Sequence, residues 1–191
     1  MDSAPATDRE LILRVVAQDS PALDQLYHRY SRQVFSLTLR ILSDAGAAED
    51  VTQDVFLKLW RQPDSYNPDR GALGSWLLSV AHNRAIDVLR RRQLRDERPL
   101  PETPDAEDLL PANTLDPGDM VGLEDLAFTV RRALARIPTA QRQAIEMAFF
   151  EGKTHVEISA ELGEPLGTAK TRIRLGMKKL RALLEEEGVE I

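Results

Sequence analysis

Apolar residues recur every three or four positions through most of this chain, and that spacing places them on one face of an α-helix. In the first half, the pattern predicts helices that begin near Asp8, Ser20 and Asp44, and a longer helix from about Leu73 to Arg95. We expect Asp8 to cap the first of these helices. The faces expected to be buried carry aliphatic and aromatic side chains: Leu11, Leu13, Val15, Val16, Leu23, Leu26, Tyr27, Tyr30, Val34, Leu37, Ile41, Val51, Val55 and Leu59.

The second half follows the same period, with predicted helices near residues 123–136, 138–151, 154–162 and 167–186. On the last of them, six apolar residues fall on one face: Leu166, Ala169, Ile173, Met177, Leu180 and Leu184. No segment combines the alternating pattern of a β-strand with the turn residues of a hairpin. The sequence therefore predicts an all-α protein.

Charge and proline divide the chain into two parts. There are 25 Lys and Arg residues against 31 Asp and Glu residues, a formal net charge of −6. Residues 99–123 contain six of the acids, five of the 11 prolines and no basic residue, so the whole net charge lies there. Proline disrupts helices and strands, and like charges repel each other. We therefore predict two small helical domains, over residues 1–98 and 124–191, joined by an acidic Pro-rich linker over residues 99–123.

The composition excludes several classes of site. The chain has no Cys, which excludes disulfides, thiolate metal sites and a Cys nucleophile. His28, His82 and His155 lack the spacing of metal ligands, so we expect no metal and no cofactor. A Gly-rich phosphate loop and a Ser/His/Asp arrangement are also missing, and we expect a protein that is not an enzyme. No apolar run exceeds four residues and the N-terminus has no secretion pattern, which favours a cytoplasmic protein.

The most informative segment covers residues 154–174. A short apolar helix there ends at Gly163, a residue suited to a helix C-terminus, and Pro165 prevents the helix from continuing. A second helix follows, which is the plan of a helix-turn-helix. This second helix has no acid before Glu185, and beside its apolar face lies a basic stripe: Lys170, Arg174, Lys178 and Arg181. Such a helix suits the major groove of DNA; a solvated basic face on a bundle helix is the alternative.

A second cluster lies near the end of the long helix predicted in the first half. Asn83, Asp87 and Arg90 share one face of that helix, and Arg84 and Arg91 lie beside them. Trp76 lies upstream on the same side. Cations close to such an aromatic side chain are suited to hold a nucleic-acid backbone while a base stacks on the ring. Arg residues are also favourable at the negative end of any helix, and these residues alone favour that ordinary interpretation.

A third amphipathic segment, residues 49–60, precedes the two prolines that end its helix. Asp50, Gln53 and Asp54 are polar, while Phe56 and Trp60 are large residues at the edge of the apolar face. Aromatic anchors beside polar residues are typical of a partner surface. An ordinary buried helix with a polar back fits equally well.

Taken in their order along the chain, the three segments resemble a bacterial RNA polymerase sigma factor of the extracytoplasmic-function type, within the sigma-70 family. Residues 49–56 are similar to the family's core-binding helix, residues 76–91 to its helix for the −10 promoter element, and motifs within residues 137–172 to its domain for the −35 element. The resemblance covers nearly the whole chain. Three residues depart from the usual family pattern: Ile137, Ala169 and Gly176. A glycine inside a helix costs about 1 kcal/mol relative to Ala.

The resemblance implies a transcription initiation factor that binds core RNA polymerase, recognises −35 and −10 promoter DNA and promotes melting, under control of an anti-sigma factor. The implied polymerase contacts are Asp50, Gln53, Asp54, Leu57 and Trp60. A loop around residues 63–75 would hold a flipped base, and the implied contacts to the −10 element are Asn83, Arg84, Asp87, Arg90 and Arg91. The implied contacts to the −35 element are Thr168, Lys170, Thr171, Arg172, Arg174, Leu175 and Lys178. Within that set, Arg172 and Lys178 would hold phosphates.

Three other classes stay open on the residues alone. A repressor or activator that binds duplex DNA unaided would need a dimer and a palindromic site, and no dimer seam is obvious. An enzyme on a helical scaffold would need catalytic residues that we do not recognise here. A helical adaptor that binds only protein leaves the basic helix at residues 170–181 unexplained.

Overall fold

The computed structural model describes residues 6–96 and 129–188. The described residues form two compact units, one over residues 6–96 and the other over residues 129–188. The predicted acidic linker over residues 99–123 lies outside the described residues. The predicted domain limits at residues 98 and 124 also lie outside the described residues and stay predictions.

All regular structure among the described residues is helical, which confirms the all-α prediction. The helices of the first unit are α1 (Asp8–Val16), α2 (Ser20–Leu42), α3 (Ala45–Arg61) and α4 (Leu73–Asp96), with 3-10 turns at Pro63–Ser65 and Pro68–Arg70. Those of the second unit are α5 (described over residues 129–135), α6 (Thr139–Phe149), α7 (His155–Leu162) and α8 (Leu166–Glu186). Within the described ranges, none of these helices has the length and apolar character needed to cross a bilayer.

The centre of the first unit is α2, since α1, α3 and α4 all pack against it. These contacts bury a set of large apolar side chains: Leu11, Val15, Leu26, Val34, Val55, Leu59, Leu73 and Leu77. Thr38 and Thr52 are also buried, and their hydroxyls donate to the Ala48 carbonyl oxygen at 3.3 and 2.8 Å. Both hydroxyls are therefore hydrogen-bonded, as buried polar groups generally must be.

Three residues predicted to be buried in this unit are exposed: Leu13, Val16 and Tyr27. The buried side of α1 is formed by Leu11 and Val15, which lie four residues apart. Leu13 lies about 200° around the helix from Leu11 and therefore faces away from that side. The apolar residues of α1 therefore extend around more of the helix than the side that α2 buries.

The start of α1 also differs from the prediction, because Thr7 rather than Asp8 is its cap. The Thr7 hydroxyl accepts from the Glu10 N–H at 3.3 Å, while the Glu10 carboxylate accepts from the Thr7 N–H at 2.8 Å. This reciprocal pair is a capping box. It leaves the Asp8 carboxylate available to accept hydrogen bonds from Arg29 and Tyr30 of α2. Asp8 therefore ties α1 to α2.

The cap of α3 connects that helix to α4. Asp44 Oδ1 accepts from the Ala47 N–H at 3.0 Å, and Oδ2 accepts from Arg92 Nη2 at 2.9 Å. The Ala47 N–H, assisted by the Arg92 guanidinium, holds the pKa of Asp44 below its usual range. The chain turns into this cap at Ser43, whose φ of 52° lies in the left-handed region. One carboxylate thus begins α3 and restrains the end of α4.

Two clusters of buried side chains form the core of the second unit. One lies between the segment around α5, α6 and the end of α8: Ala133, Ile137, Ile145, Leu183 and Leu184. The other lies between α6, α7 and the start of α8: Ala144, Met147, Ile158 and Ala169. The helix-turn-helix is thus held on α6 by its own apolar residues.

The buried stripe of α8 departs from the predicted one. Met177 is 45% exposed, and Leu166 is exposed as well. Gly176 is buried in their stead, so the residues that pack inward follow one line along the helix: Ala169, Ile173, Gly176, Leu180, Leu183 and Leu184. The prediction missed this shift because a glycine carries no apolar side chain to signal burial.

Gly176 lies where α6 and α8 approach closely. A Cβ placed on it would lie 2.7 Å from Ile145 Cδ1 and 3.1 Å from Gln141 Cβ, both on α6. Carbon atoms in good contact lie about 3.5–4.0 Å apart, so the missing side chain permits this approach. The glycine that weakens α8 as an isolated helix therefore improves its packing.

Asp44→Asn keeps a good helix cap but removes the charge that faces Arg92. A carboxyl with a depressed folded-state pKa stabilises the fold above its unfolded pKa, here near 3.8, and that contribution disappears as the pH falls through the folded value. We expect a loss below about 1 kcal/mol near neutral pH and a flatter decline in stability below about pH 4. Urea unfolding across this pH range measures both. The control is Asp64→Asn, which removes an exposed carboxylate; identical acid limbs for wild type and Asp44→Asn would contradict the prediction.

Gly176→Ala should destabilise the second unit although Ala is the better helix former. Overpacking of a core typically costs about 1–3 kcal/mol, and the gain in helix propensity offsets about 1 kcal/mol of it. We expect a net loss of about 1 kcal/mol in thermal or urea unfolding. Gly167→Ala in the same helix is the matched control, because a Cβ at Gly167 meets no atom within 4 Å. A stabilised Gly176→Ala protein would refute the close crossing.

Candidate nucleic-acid interface

The outer face of α3 carries four of the five residues predicted to contact polymerase. Asp50, Gln53, Asp54 and Leu57 are exposed, and the fifth, Trp60, is half-buried at the end of the helix. Their exposure follows from the burial of the opposite face: Val51, Val55, Phe56 and Leu59. The exposed face therefore combines two carboxylates, an amide and one leucine, which is a surface suited to a protein partner.

The residues predicted to meet the −10 element lie along one side of α4. Asn83, Asp87, Arg90 and Arg91 are exposed, while Arg84 is half-buried. The opposite side of α4 is fully buried at Leu77, Ala81 and Ala85. The same principle of one buried and one wet face thus holds on α4 as on α3.

Arg84 connects the two faces. Its Nε and Nη2 atoms both donate to Asp54 Oδ2, at 3.0 and 2.8 Å. The pair lies in an open groove between α3 and α4, whose remaining lining is Val55, Lys58, Val80, Asn83 and Asp87. The structure thus brings together one residue predicted to contact polymerase and one predicted to contact DNA. Thirty sequence positions separate them, so the sequence pattern could not reveal the pairing.

An aromatic contact between the α3–α4 loop and the first turn of α4 was missed by the sequence reasoning. The rings of Tyr66 and Trp76 are tilted against each other with centroids 5.9 Å apart. The Tyr66 hydroxyl donates to the Gly71 carbonyl oxygen at 3.1 Å, which closes the loop on itself. Burial raises the pKa of Tyr66, and the Asp8 carboxylate adds to the shift. A lone tyrosine between Pro63 and Pro68 was the available signal.

The helix-turn-helix is built by strong local signals. Thr154 and Glu157 form a capping box at the start of α7. Gly163 ends α7 with a φ of 64°, and Pro165 is the cap residue of α8. The predicted turn is therefore present, and α8 begins one residue earlier than expected.

Most of the residues predicted to meet the −35 element are on the wet face of α8. Five are exposed: Lys170, Thr171, Arg174, Leu175 and Lys178. Thr168 and Arg172 are half-buried. The exposed set offers three cations and one short hydroxyl along the first turns of a helix. These are the groups that donate to phosphates and base edges in a major groove.

Arg172 is engaged within the protein. Its guanidinium pairs with the Glu164 carboxylate in the turn before α8, and both side chains are mostly buried. The backbone of Glu164 is also held, since its N–H donates to the Ser159 carbonyl oxygen at 3.0 Å and its own carbonyl oxygen accepts from the Ser159 hydroxyl. Arg172 therefore restrains the angle between α7 and α8, a role that the sequence reasoning did not include.

Other acids near this motif also have cationic partners. Lys153 Nζ lies 2.6 Å from Glu151 and 2.5 Å from Glu161. The Glu151 and Glu161 carboxylates raise the pKa of Lys153. At the far end of α8, Arg181 Nε donates to Glu185 at 2.9 Å. The motif's acids are thus partly neutralised, which favours the approach of a polyanion.

Comparison with known proteins supports this organisation. The family model for sigma-70 region 2 matches residues 26–95, which contain α3 and all but the last residue of α4. The model for sigma-70 region 4 matches residues 127–180, which contain the helix-turn-helix. Each interface described above therefore lies inside a recognised sigma-70 region.

Known sigma factors are similar to this protein over nearly its whole length. The ECF RNA polymerase sigma factor SigK of Mycobacterium sp. (strain KMS) is 35% identical over 184 residues, covering 93% of this chain and 91% of that protein. The sigma factor RpoE of Cereibacter sphaeroides is also 35% identical, covering 94% and 97%. Among solved structures, Rhodobacter sphaeroides SigE in complex with the anti-sigma ChrR is 32% identical, covering 93% of this chain and 99% of that one, with a TM-score of 0.44. The chain belongs to the extracytoplasmic-function sigma factors of bacterial RNA polymerase.

Proposed function

We propose that this sigma factor binds core RNA polymerase through the outer face of α3 and reads promoter DNA with α4 and α8. The observation that carries the proposal is the separation of faces on α8. Its apolar side is buried against α6 and α7, while Lys170, Arg174 and Lys178 are exposed on the other side. A helix with this division fits a major groove, where exposed cations hold phosphates and short residues reach bases.

On the first unit, the proposed polymerase contacts are the exposed Asp50, Gln53, Asp54 and Leu57, with Trp60 at the edge. The proposed contacts to the −10 element are Asn83, Arg84, Asp87, Arg90 and Arg91. The loop before α4, where Tyr66 contacts Trp76 of that helix, is the proposed site for an unpaired base. Taking a base out of a duplex costs a few kcal/mol, so a loop that is already folded favours the melted state.

The proposal includes no chemical step performed by the sigma factor. It is a specificity factor and not an enzyme, and it acts in the cytoplasm, where bacterial polymerase transcribes. Control by an anti-sigma factor, which family membership implies, is part of the same proposal. Such a partner would cover the exposed α3 face and compete with polymerase. Raising the concentration of core polymerase should then restore transcription in its presence.

In vitro transcription tests the function directly. The chain is added to sigma-free bacterial core polymerase on a library of promoter fragments, and specific transcripts are expected. Lys170→Ala plus Arg174→Ala should reduce them at least about tenfold, since a good base contact contributes about 1–3 kcal/mol of discrimination. Arg9→Ala plus Arg131→Ala removes the same charge from other exposed positions and should leave transcription intact.

The same assay contains the outcome that would overturn the proposal. Should no transcripts form while the chain alone shifts duplex DNA with a steep dependence on salt, the protein is a conventional DNA-binding regulator. Failure in both assays would favour an adaptor that binds only protein.

Arg172 and Lys170 should separate stability from DNA binding. Arg172→Met leaves the Glu164 carboxylate without its cation in a mostly buried turn, and we expect a loss of about 1–3 kcal/mol in unfolding free energy. Lys170→Met removes an exposed charge, so unfolding should change by less than about 0.5 kcal/mol while binding to −35 DNA weakens. Urea unfolding and DNA titration of both variants give the comparison. An Arg172→Met protein with wild-type stability would return Arg172 to a role at the phosphates alone.

A further inference from the structure

The ion pair between Arg84 and Asp54 joins two helices to which the proposed function assigns different partners. Asp54 lies on the α3 face proposed for polymerase, and Arg84 lies on the α4 side proposed for the −10 element. In the structure, two guanidinium nitrogens of Arg84 share a single oxygen, Asp54 Oδ2, at 2.8 and 3.0 Å. Two hydrogen bonds from one guanidinium restrain its orientation more than a single bond would.

Because this pair is partly exposed, we expect it to affect the orientation of the Arg84 side chain more than the stability of the fold. The Arg84 and Asp54 side chains are 41% and 46% exposed, and ion pairs at that exposure contribute little to folding. Below them, Val55 and Leu59 of α3 are already buried by apolar contacts. The helices would therefore stay together without the pair. What the pair changes is where the Arg84 side chain points, since a free arginine samples many rotamers.

Each side chain of the pair has one polar atom that takes no part in the bonds between them. Among the described residues, the bonds within the pair use Arg84 Nε and Nη2 and Asp54 Oδ2, so Arg84 Nη1 and Asp54 Oδ1 take no part in them. Asn83 and Asp87 line the same groove, so the Arg84 guanidinium lies among the residues proposed to meet the −10 bases. Its charge is largely balanced by Asp54, which makes it a weak ligand for phosphate. It remains a directed hydrogen-bond donor.

We infer that Asp54 is a positioning residue for recognition of the −10 element, because it holds Arg84 in the orientation in which that arginine meets the unpaired strand. This inference rests on the proposed function and assigns Asp54 a second role beside polymerase contact. Lys at position 84 would keep the positive charge but lacks the fork that the carboxylate orients. Geometry rather than charge is thus the property required at this position.

The experiment separates polymerase affinity from reading of the −10 element. The affinity of each sigma variant for core polymerase is measured first. Holoenzyme at saturating core is then titrated with a fork-junction DNA whose single-stranded −10 element comes from a promoter selected by the wild-type chain. The variants are Asp54→Asn, Asp54→Glu and Arg84→Lys. The matched control is Asp50→Asn, which removes another exposed carboxylate from the same α3 face.

We expect Asp50→Asn to weaken core binding and to bind the fork junction normally once core is saturating. Asp54→Asn and Arg84→Lys should still bind the fork junction at least about fivefold more weakly at saturation, because a charge-assisted hydrogen bond has lost its geometry. The defect should disappear when the −10 bases are randomised, since the wild type then loses the same contact. Asp54→Glu should recover most of the affinity because a carboxylate is again available.

Recovery of Asp54→Asn to wild-type binding at saturating core would overturn the inference and leave Asp54 as a polymerase contact only. Wild-type behaviour of Arg84→Lys would overturn it as well, since charge alone would then suffice. A wild-type holoenzyme that ignores the −10 sequence would overturn the proposed function and this inference together. Circular dichroism of each variant verifies that the helices are intact, so a binding defect is attributed to the groove.

Discussion

Burial of one apolar stripe on each helix is the constraint on which the rest of this sigma factor depends. In a helix with 3.6 residues per turn, the choice of the side that leaves water also chooses the side that stays in it. Val51, Val55 and Leu59 turn the polar residues of α3 outward, and Leu77 and Ala81 do the same for α4. Because both helices pack against α2, their wet faces adjoin and form one groove. The interfaces are consequences of the core.

The polar contacts laid over this frame are weak individually and specific in direction. Arg84 with Asp54, and Arg92 with Asp44, are exposed pairs between α3 and α4. Exposed pairs are screened by water and salt, so another charged molecule can compete for either partner at little cost to the fold. A protein that must bind polymerase and DNA in turn benefits from such contacts. They hold side chains in place in the free protein and remain available to other molecules.

The second unit shows local propensity and packing in conflict, with packing prevailing. As an isolated helix, α8 would be better with Ala at position 176, but the approach of Ile145 and Gln141 leaves no space for a Cβ. The consequence reaches the face proposed to contact DNA, since the line of contact through Gly176 sets the rotation of α8 about its own axis. Met177 is exposed for the same reason. The glycine that departs from the usual family pattern therefore helps to set how α8 packs on α6.

The sequence by itself determined the features that depend on neighbouring residues. The period of apolar residues indicated the helices, Gly163 and Pro165 indicated the turn, and the acid-free stretch of α8 indicated a basic face. Hydrogen bonds within a helix and its caps link residues at most a few positions apart, so these features are legible in a short window. The resemblance to sigma factors rested on the same local motifs.

Only the tertiary structure decided the features that depend on how helices meet. Asp54 pairs with Arg84 across 30 positions. Asp8 was expected to cap α1, but Thr7 caps that helix and Asp8 instead links α1 to α2. The contact between Tyr66 and Trp76 exists because the loop lies against the start of α4. The periodicity of a sequence states that a helix has a buried side. Where a second helix crosses that side is set by the packing of whole surfaces, which no local pattern encodes.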